Sequence, residues 1–278
     1  MLDPTPQAAI FSLQRGTSPL LVSMPHIGTE IPAELATVFN PRALAVEDTD
    51  WHLAQLYDFL PELGASILMP RFSRYVIDLN RPPDDAPMYP GASNTELCPT
   101  RFFTGDALYR PGCEPNQAEQ AARRDTYWSP YHTALGDEIR RIKARYGYAL
   151  LWDAHSIRSQ ISWLFEGRLP DLNVGTASGA SADASIAQAV MEAIANRSNL
   201  PPDVTSVLNG RFKGGYITRR YGAPQHRVHA VQLEMCQLLY MQEQQPFAFD
   251  VTLAIQIRPL LKSVVTRALA ACTKLYGG

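Results

Sequence analysis

The chain has 278 residues and nearly balanced charges, with 25 Lys and Arg against 27 Asp and Glu. No basic run is longer than a pair of arginines, which excludes nucleic acid as an expected partner. No signal-peptide pattern opens the chain and no apolar stretch approaches the ~20 residues that cross a bilayer, so we expect a cytoplasmic protein without a membrane partner. The four cysteines form no C-x-x-C pair, which argues against a thiolate metal site. The length predicts one domain over residues 1–278.

Runs of apolar residues and their spacing predict an α/β fold. In chain order the pattern predicts a strand over 20–24, a helix over 50–60, strands over 65–69 and 75–79, a helix over 127–146, a strand over 148–152, a helix around 186–194, a strand over 228–235 and a helical region over 250–276. We expect Ser181 or Asp183 to cap the helix around 186–194, and Pro259 to break or kink the last helical region. Helices that lead directly into strands are typical of a wound α/β sheet.

A long segment from Arg81 to Pro115 shows no periodicity and is rich in Pro, Gly, Asn and Asp. It also contains the aromatic residues Tyr89, Phe102, Phe103 and Tyr109. Loops of this length in a compact domain are disordered or functional, and the aromatic content favours an ordered loop. We therefore predict that it forms a wall of an active site.

Four apolar segments end in residues that bind metals or move protons. These residues lie at positions 24–26, 48–50, 153–156 and 232–234. Ligands of open α/β sheets collect beyond the carboxyl ends of the strands, so we expect these residues to converge in space. Their joint placement indicates a metal-dependent hydrolase.

His26 and His155 are the first two candidate metal ligands. Neutral imidazole at the end of a rigid strand is a good zinc ligand, and catalytic zinc takes three protein ligands and keeps an open position. A structural hydrogen bond is the alternative role for either histidine. The two together, each close in sequence to carboxylates, favour a metal site.

Asp50 is our choice for the third ligand, with Glu30 and Asp48 as alternatives. Asp50 could instead cap the helix predicted to begin there, which is a common role for Asp. Asp153 lies two residues before His155 and points to the same side of an extended chain, so we expect it to support that histidine by a hydrogen bond.

Glu234 is the candidate general base. It lies in an apolar strand, where a carboxylate is expensive to bury without a partner or a catalytic task. A buried ion pair with an arginine is the alternative.

Arg81 is a candidate clamp for a substrate carboxylate, because a guanidinium group matches a carboxylate bidentately. Other cations compete for this role: Arg74, Arg211, Lys213, Arg219 and Arg220. The chain has no H-E-x-x-H, G-x-S-x-G, Walker or G-x-G-x-x-G motif. A nucleophilic Ser23 or Ser156 acting with His155 stays open.

Several long motifs resemble those of the N-formylglutamate deformylase (N-formylglutamate amidohydrolase) family, whose enzymes end one bacterial route of histidine degradation. The motifs are PHIG at 25–28, DTDWH at 48–52, SRYVIDLNRP at 73–82, WDAHSIRS at 152–159, LFEGRLP at 164–170 and NGRFKGGYIT at 209–218. They run over nearly the whole chain in this order.

The resemblance implies a three-layer α/β fold with a central mixed sheet, similar to the zinc carboxypeptidases and aminoacylases (phosphorylase/hydrolase-like). It implies that His26 and His155 bind zinc, that Glu234 is the base and that Asn80 with Arg81 binds a substrate carboxylate. The chain departs from those enzymes at the second ligand, because Thr29 stands where they have a Glu three residues after the first histidine. Asp50 takes that place in our prediction.

The resulting hypothesis is hydrolysis of N-formyl-L-glutamate at a zinc ion held by His26, Asp50 and His155, with Glu234 as base. The two substrate carboxylates would be bound by Asn80, Arg81, Arg211 and Arg219. The rivals are a related amidohydrolase for another N-acyl amino acid or a small peptide, and a non-catalytic dicarboxylate-binding protein. The sequence leaves the oligomeric state open.

Overall fold

The computed structural model describes residues 9–88, 91, 93–196 and 204–277, and within these ranges seven strands form one mixed sheet. The strands are β1 (Phe11–Gln14), β2 (Leu20–Ser23), β3 (Ser66–Pro70), β4 (Ala149–Ile157), β5 (Leu172–Gly175), β6 (Ser206–Leu208) and β7 (Val228–Cys236). Their order across the sheet is β1-β3-β2-β4-β7-β5-β6. The central neighbours β3, β2, β4 and β7 are parallel, whereas β1 and β5 pair antiparallel with β3 and β7.

Helices cover both faces of this sheet. They are α1 (Ala33–Ala36), α2 (Leu53–Leu56), α3 (Gln117–Arg123), α4 (Ser129–Tyr146), α5 (Ala184–Ala195), α6 (Tyr216–Tyr221) and α7 (Val251–Tyr276). Leu20 and Val22 of β2 pack in the core shared with α5 and α7, whereas Leu21 packs in the core on the α4 side. Alternate residues of a strand point to opposite faces, so an apolar run such as this one suits a strand buried on both sides. The predicted three-layer α/β fold with a mixed sheet is confirmed.

The strands β4 and β7 lie at the centre of the sheet, and all nine residues of each are buried. The prediction ended the first of these strands at Trp152, but β4 continues to Ile157. Asp153 and His155 therefore lie inside the strand and not beyond its end. Polar side chains are tolerated there because other buried polar groups surround them.

Residues 75–79 were predicted as a strand, and this prediction is wrong. The segment is built of turns, in which the Val76 N–H donates to the Ser73 carbonyl and the Asp78 side chain accepts a hydrogen bond from the Asn80 N–H. Short polar side chains that bond the nearby backbone compete with sheet pairing.

Two helix predictions are corrected in part. The helix predicted over 50–60 shortens to α2, because His52 adopts a left-handed conformation with φ of 61° immediately before it. The helical region over 250–276 is one helix that continues through Pro259. The helix around 186–194 is confirmed as α5, and Asp183 is its N-cap.

The predicted helix over 127–146 corresponds to α4, which carries a buried histidine. The His132 ring stacks on Trp128 with centroids 3.7 Å apart, and its Nε2 lies 2.8 Å from the Leu79 carbonyl oxygen. Burial lowers the pKa of His132 to about 4. At a pH between this value and the ordinary pKa of histidine, the imidazole is therefore neutral in the folded protein but protonated in the unfolded chain.

We expect His132 to make the protein less stable as the pH falls. Between the unfolded pKa of ~6.5 and the folded pKa of ~4, His132 binds a proton in the unfolded state but not in the folded state. The free energy of unfolding therefore falls by about 1.4 kcal/mol for each pH unit in this range. Urea unfolding of wild type and His132→Gln at pH ~7.5 and ~5 should show that the substitution removes roughly 2 kcal/mol of the acid-induced loss. An equal loss of stability in both proteins would contradict this role for His132.

Candidate active site

The predicted site residues converge at the carboxyl ends of the central parallel strands. His26 follows β2, and His155 of β4 pairs in register with Glu234 of β7. Asp153 and His155 alternate with Ala154, which packs in the core on the α5 and α7 side, so both point to the opposite face. The strands thus bring side chains from distant parts of the chain to one point.

His26, Asp50 and His155 form a buried group that could hold a metal ion. Each offers one ligand atom, and these atoms lie within 4.8 Å of one another. Asp50 Oδ2 lies 3.2 Å from His155 Nδ1 and 3.7 Å from His26 Nδ1. Asp50 does not cap α2, whose start has no side-chain cap.

Further carboxylates face the other nitrogen of each histidine. Asp78 Oδ1 lies 2.7 Å from His26 Nε2, and Asp153 Oδ1 lies 3.2 Å from His155 Nε2. Asp78 holds the proton of His26 on Nε2, which orients the ring and leaves Nδ1 able to bind a metal. Nε2 of His155 lies 3.0 Å from the Asn80 side-chain amide, and Asp153 Oδ1 is a close charged neighbour of this ring without forming the hydrogen bond predicted from the sequence.

The chemistry of Asp50 fits a cation at this position. Its Oδ1 is buried and has no hydrogen-bond partner among the described residues, which is costly for a carboxylate oxygen. Although burial alone would raise the pKa of Asp50, the adjacent imidazoles of His155 and His26 hold it below its usual value. Two imidazoles and one carboxylate are also a ligand set of catalytic zinc. The three residues therefore fit a zinc ion.

Glu234 lies beside this group and faces the same cavity. Burial raises the pKa of Glu234 to about 8. Its Oε2 lies 3.4 Å from Gln232 Nε2. Among the residues that the structure describes, no arginine forms an ion pair with Glu234, which disfavours the purely structural alternative.

The cavity has a volume of about 50 Å³, and its lining includes His26, His155 and Glu234. Asn80, Arg81 and Arg211 also line it, as do Thr95 and Phe103 of the loop predicted to form a wall. The described part of this loop therefore contributes residues to the cavity wall. Tyr89, one of the aromatic residues behind the loop prediction, lies outside the described residues.

Two of the arginines that line the cavity, Arg81 and Arg211, are held by backbone carbonyls. Arg81 donates from Nε to the Thr95 carbonyl oxygen at 3.0 Å. Arg211 donates to the carbonyl oxygens of Leu164 and Ser93 at 3.1 and 2.9 Å. These bonds fix both guanidinium groups at the cavity wall.

Arg219, the other predicted substrate-binding arginine, is not in the lining of this cavity. It donates to the carbonyl oxygens of Gly214 and Met88 and lines a separate surface depression together with Lys213. Arg219 lies on α6, only four residues after Gly215, which does line the cavity. This proximity in sequence does not bring the Arg219 side chain into the cavity lining.

Arg74 is the cation that the sequence argument named only among competitors. It is buried, lines the cavity and donates from Nη2 to Asp78 Oδ2 at 2.6 Å. Its Nη1 lies 3.8 Å from Asp50 Oδ1. The sequence does contain a signal for this role of Arg74. An arginine directly before the apolar run 75–77 is expected to be buried, and a buried arginine needs a charged partner.

Both alternative third ligands have other partners. Glu30 is half-exposed and pairs with Arg71 at 2.6 Å. Asp48 accepts hydrogen bonds from the Tyr75 hydroxyl and from Arg158. Neither belongs to the group of candidate ligands that includes Asp50.

The alternative serine nucleophiles also have other partners. The Ser23 hydroxyl bonds Tyr131 at 3.0 Å, and the Ser156 hydroxyl accepts from Tyr240 at 2.7 Å. No hydrogen bond joins either side chain to His155 among the described contacts. The geometry therefore favours metal-assisted hydrolysis over a serine nucleophile.

The α/β fold and this group of side chains are those of a hydrolase. A model of the N-formylglutamate amidohydrolase family matches residues 18–241, and the chain belongs to this family. The N-formylglutamate deformylase of Pseudomonas aeruginosa is 49% identical over 261 residues, which cover 94% of this chain and 96% of that protein. That of Pseudomonas putida is 45% identical over 267 residues, covering 96% and 98%.

Solved structures share the fold at lower identity. An N-formylglutamate amidohydrolase from Ralstonia eutropha JMP134 superposes with a TM-score of 0.76 at 24% identity, over 96% of this chain and 98% of that one. A gene product of Agrobacterium tumefaciens gives 0.70 at 21% identity, over 94% and 95%. The specific likeness to carboxypeptidases stays a prediction. Among the described residues, no helix combines the length and apolar character needed to span a membrane.

Proposed function

We propose that the protein hydrolyses N-formyl-L-glutamate to formate and L-glutamate. The observation that carries this proposal is the placement of Glu234 in one cavity with His26 and His155, which form the candidate ligand group together with Asp50. The names of the Pseudomonas relatives supply the substrate. The chain would act as a single cytoplasmic domain, on the histidine-degradation route that its sequence resemblance implies.

His26, Asp50 and His155 would hold a zinc ion. When bound, such an ion polarises a carbonyl oxygen and lowers the pKa of water toward ~7. Asp78 would keep His26 in the tautomer that binds through Nδ1. Asp153 would place a negative charge beside His155.

Glu234 would move the proton during hydrolysis. Its carboxylate takes a proton from water as the water oxygen forms a bond to the formyl carbon. It then gives the proton to the glutamate nitrogen as the C–N bond breaks. Burial raises the pKa of this carboxyl group above its usual value and so brings it closer to neutral pH, which suits a group that first accepts and then donates a proton.

Arg74 would stabilise the negative charge that develops on the formyl oxygen. It is a buried cation in the cavity wall, 3.8 Å from Asp50 Oδ1. Fixed positive charge in a site with little water stabilises such an oxyanion without reorganisation. Asp78 holds the guanidinium group in this orientation.

Asn80, Arg81 and Arg211 would bind the two carboxylates of the substrate. A guanidinium group donates two parallel hydrogen bonds to a carboxylate, which gives both affinity and orientation. The dicarboxylate would thereby place its formyl group toward Glu234.

Arg81→Ala should raise KM for N-formyl-L-glutamate about 10- to 100-fold, with a much smaller effect on kcat. The charge-assisted hydrogen bonds that it removes form in the bound substrate as well as in the transition state, so their loss weakens binding more than it slows turnover. The measurement is a set of initial rates over a range of substrate concentrations. Arg219→Ala is the matched control, because Arg219 lies outside the cavity, and it should leave KM nearly unchanged. An unchanged KM in Arg81→Ala would remove Arg81 from the substrate site.

The substrate assignment is tested by comparing three compounds. Release of formate from N-formyl-L-glutamate should be much faster than release from N-formyl-L-aspartate, and faster than release of acetate from N-acetyl-L-glutamate. Faster turnover of either analogue would reassign the protein to a related amidohydrolase activity. Absence of turnover with saturating binding of glutamate would indicate a binding protein.

A further inference from the structure

Three aromatic side chains at the start of α4 reach toward the site, although none of them lines its cavity. Trp128 lies in a π-helical turn immediately before α4, and Tyr131 and His132 lie in the first turn of the helix. The Tyr131 hydroxyl bonds Ser23 at 3.0 Å, three residues before His26. The other two rings reach the segment that contains Asn80 and Arg81.

Trp128 and His132 bond the carbonyls on either side of Asn80. The indole N–H of Trp128 donates to the Arg81 carbonyl oxygen at 3.0 Å. His132 Nε2 lies 2.8 Å from the Leu79 carbonyl oxygen, and its N–H donates there. Two side chains from one helical turn therefore hold two carbonyls that are two residues apart.

Such support is needed because this segment is not a strand. Without a sheet neighbour, its buried backbone groups must find other partners. The Asn80 N–H donates to Asp78 Oδ1, and its side-chain oxygen accepts from the Ile217 N–H at 2.8 Å. The conformation of Asn80 and Arg81 thus depends on side chains from α4 and on the start of α6.

The two supporting rings are themselves rigid. His132 stacks on Trp128 with ring centroids 3.7 Å apart, and its Nδ1 lies 3.0 Å from the Tyr221 hydroxyl. Burial keeps His132 neutral near pH 7, so that one ring nitrogen carries the proton that the Leu79 carbonyl accepts. A stacked pair held in this way can fix the position of the segment to which it is hydrogen-bonded.

We propose that Trp128 and His132 are positioning residues that set the orientation of Asn80 and Arg81 and thereby the affinity for the substrate carboxylate. The inference rests on the proposed function, in which Arg81 binds that carboxylate. It assigns to the start of α4 a role beyond packing against the sheet.

The first test is the pair Trp128→Phe and His132→Leu, which remove the two donors and keep apolar bulk. Each should raise KM for N-formyl-L-glutamate about three- to ten-fold, the effect of one neutral hydrogen bond, with kcat within about two-fold and zinc content unchanged. Tyr148→Phe is the matched control. It removes a 2.9 Å hydrogen bond to Thr273 of α7 from the residue before β4, outside the cavity lining, and should leave KM unchanged.

Two further variants separate positioning from loss of structure. His132→Gln carries an amide donor that can reach the Leu79 carbonyl, so its KM should lie closer to wild type than that of His132→Leu. In the Arg81→Ala background Trp128→Phe should raise KM no further, because the group that it positions is gone. This double variant also tests the idea if a single substitution at 132 fails to fold.

Unchanged KM in folded Trp128→Phe and His132→Leu would overturn the inference while wild-type turnover still upheld the proposed function. Parallel loss of kcat, zinc content and thermal stability, with no excess effect on KM, would likewise reduce these residues to a structural role. Absence of formate release by zinc-loaded wild type would overturn the proposed function itself, and the inference with it.

Discussion

Glu234→Gln is expected to lower kcat about 10²- to 10⁴-fold, the range for loss of a positioned general base. Gln keeps the size of the side chain but cannot take the proton from water. Zinc content and KM should change little, because Glu234 is not one of the three candidate ligands and the substrate carboxylates lie against other side chains. The measurement combines steady-state rates of formate release with metal analysis of the same preparation.

Glu138→Gln is the matched control for this experiment. Glu138 is also a buried carboxylate, but it pairs with Arg141 and Ser66 and lies outside the cavity lining. Its loss should reduce the free energy of unfolding and leave kcat near the wild-type value. Turnover retained by Glu234→Gln would show that another group moves the proton.

Asp50→Asn is expected to weaken zinc binding by at least about 100-fold, since even partners of metal ligands contribute 10- to 100-fold to affinity. The amide is a much weaker ligand than the carboxylate and carries no charge to balance the cation. Competition with a chromophoric chelator would measure the affinity directly, without reference to activity.

Two companion variants test the alternative ligands in the same assay. Glu30→Gln changes a surface ion pair with Arg71 and should retain the wild-type affinity for zinc. Asp48→Asn should also retain it, because Asp48 bonds Tyr75 and Arg158. Loss of zinc in either of these variants, with Asp50→Asn unaffected, would reassign the third ligand.

The sequence predicted much of the fold because the central strands are apolar on both faces. The run 228–235 corresponds to β7 almost to the residue, and the helix around 186–194 begins after Asp183, one of the two expected caps. The end of β4 could not be placed, because Asp153 and His155 interrupt the apolar run that marked the strand. Only the surrounding polar groups make those two residues acceptable inside a sheet.

The candidate site was predictable where its residues lie at or near the carboxyl ends of strands. His26, His155 and Glu234 come together because parallel strands end at one edge, and this can be expected from their positions alone. The arginines could not be sorted in this way. Which of them faces the cavity depends on how the loop 81–115 and the segment 209–218 fold back. The sequence of these segments has no periodic pattern from which their path could be predicted.

The contacts from α4 illustrate a second limit. Trp128 and His132 lie 47 and 53 residues from the carbonyls that they bind. The helix period predicts that both can share one face, but the segment that they bond was itself predicted as a strand. Because this segment was wrongly predicted as a strand, its need for hydrogen bonds from the start of α4 could not be foreseen.

The most direct test is formate release from N-formyl-L-glutamate by the purified protein, measured as isolated, after complete removal of metal by a chelator, and after addition of zinc. We predict turnover that is lost on chelation and restored by zinc. Turnover that persists after metal analysis shows complete removal would contradict the zinc chemistry assigned to His26, Asp50 and His155. No formate release in any of the three states would contradict the proposed activity itself.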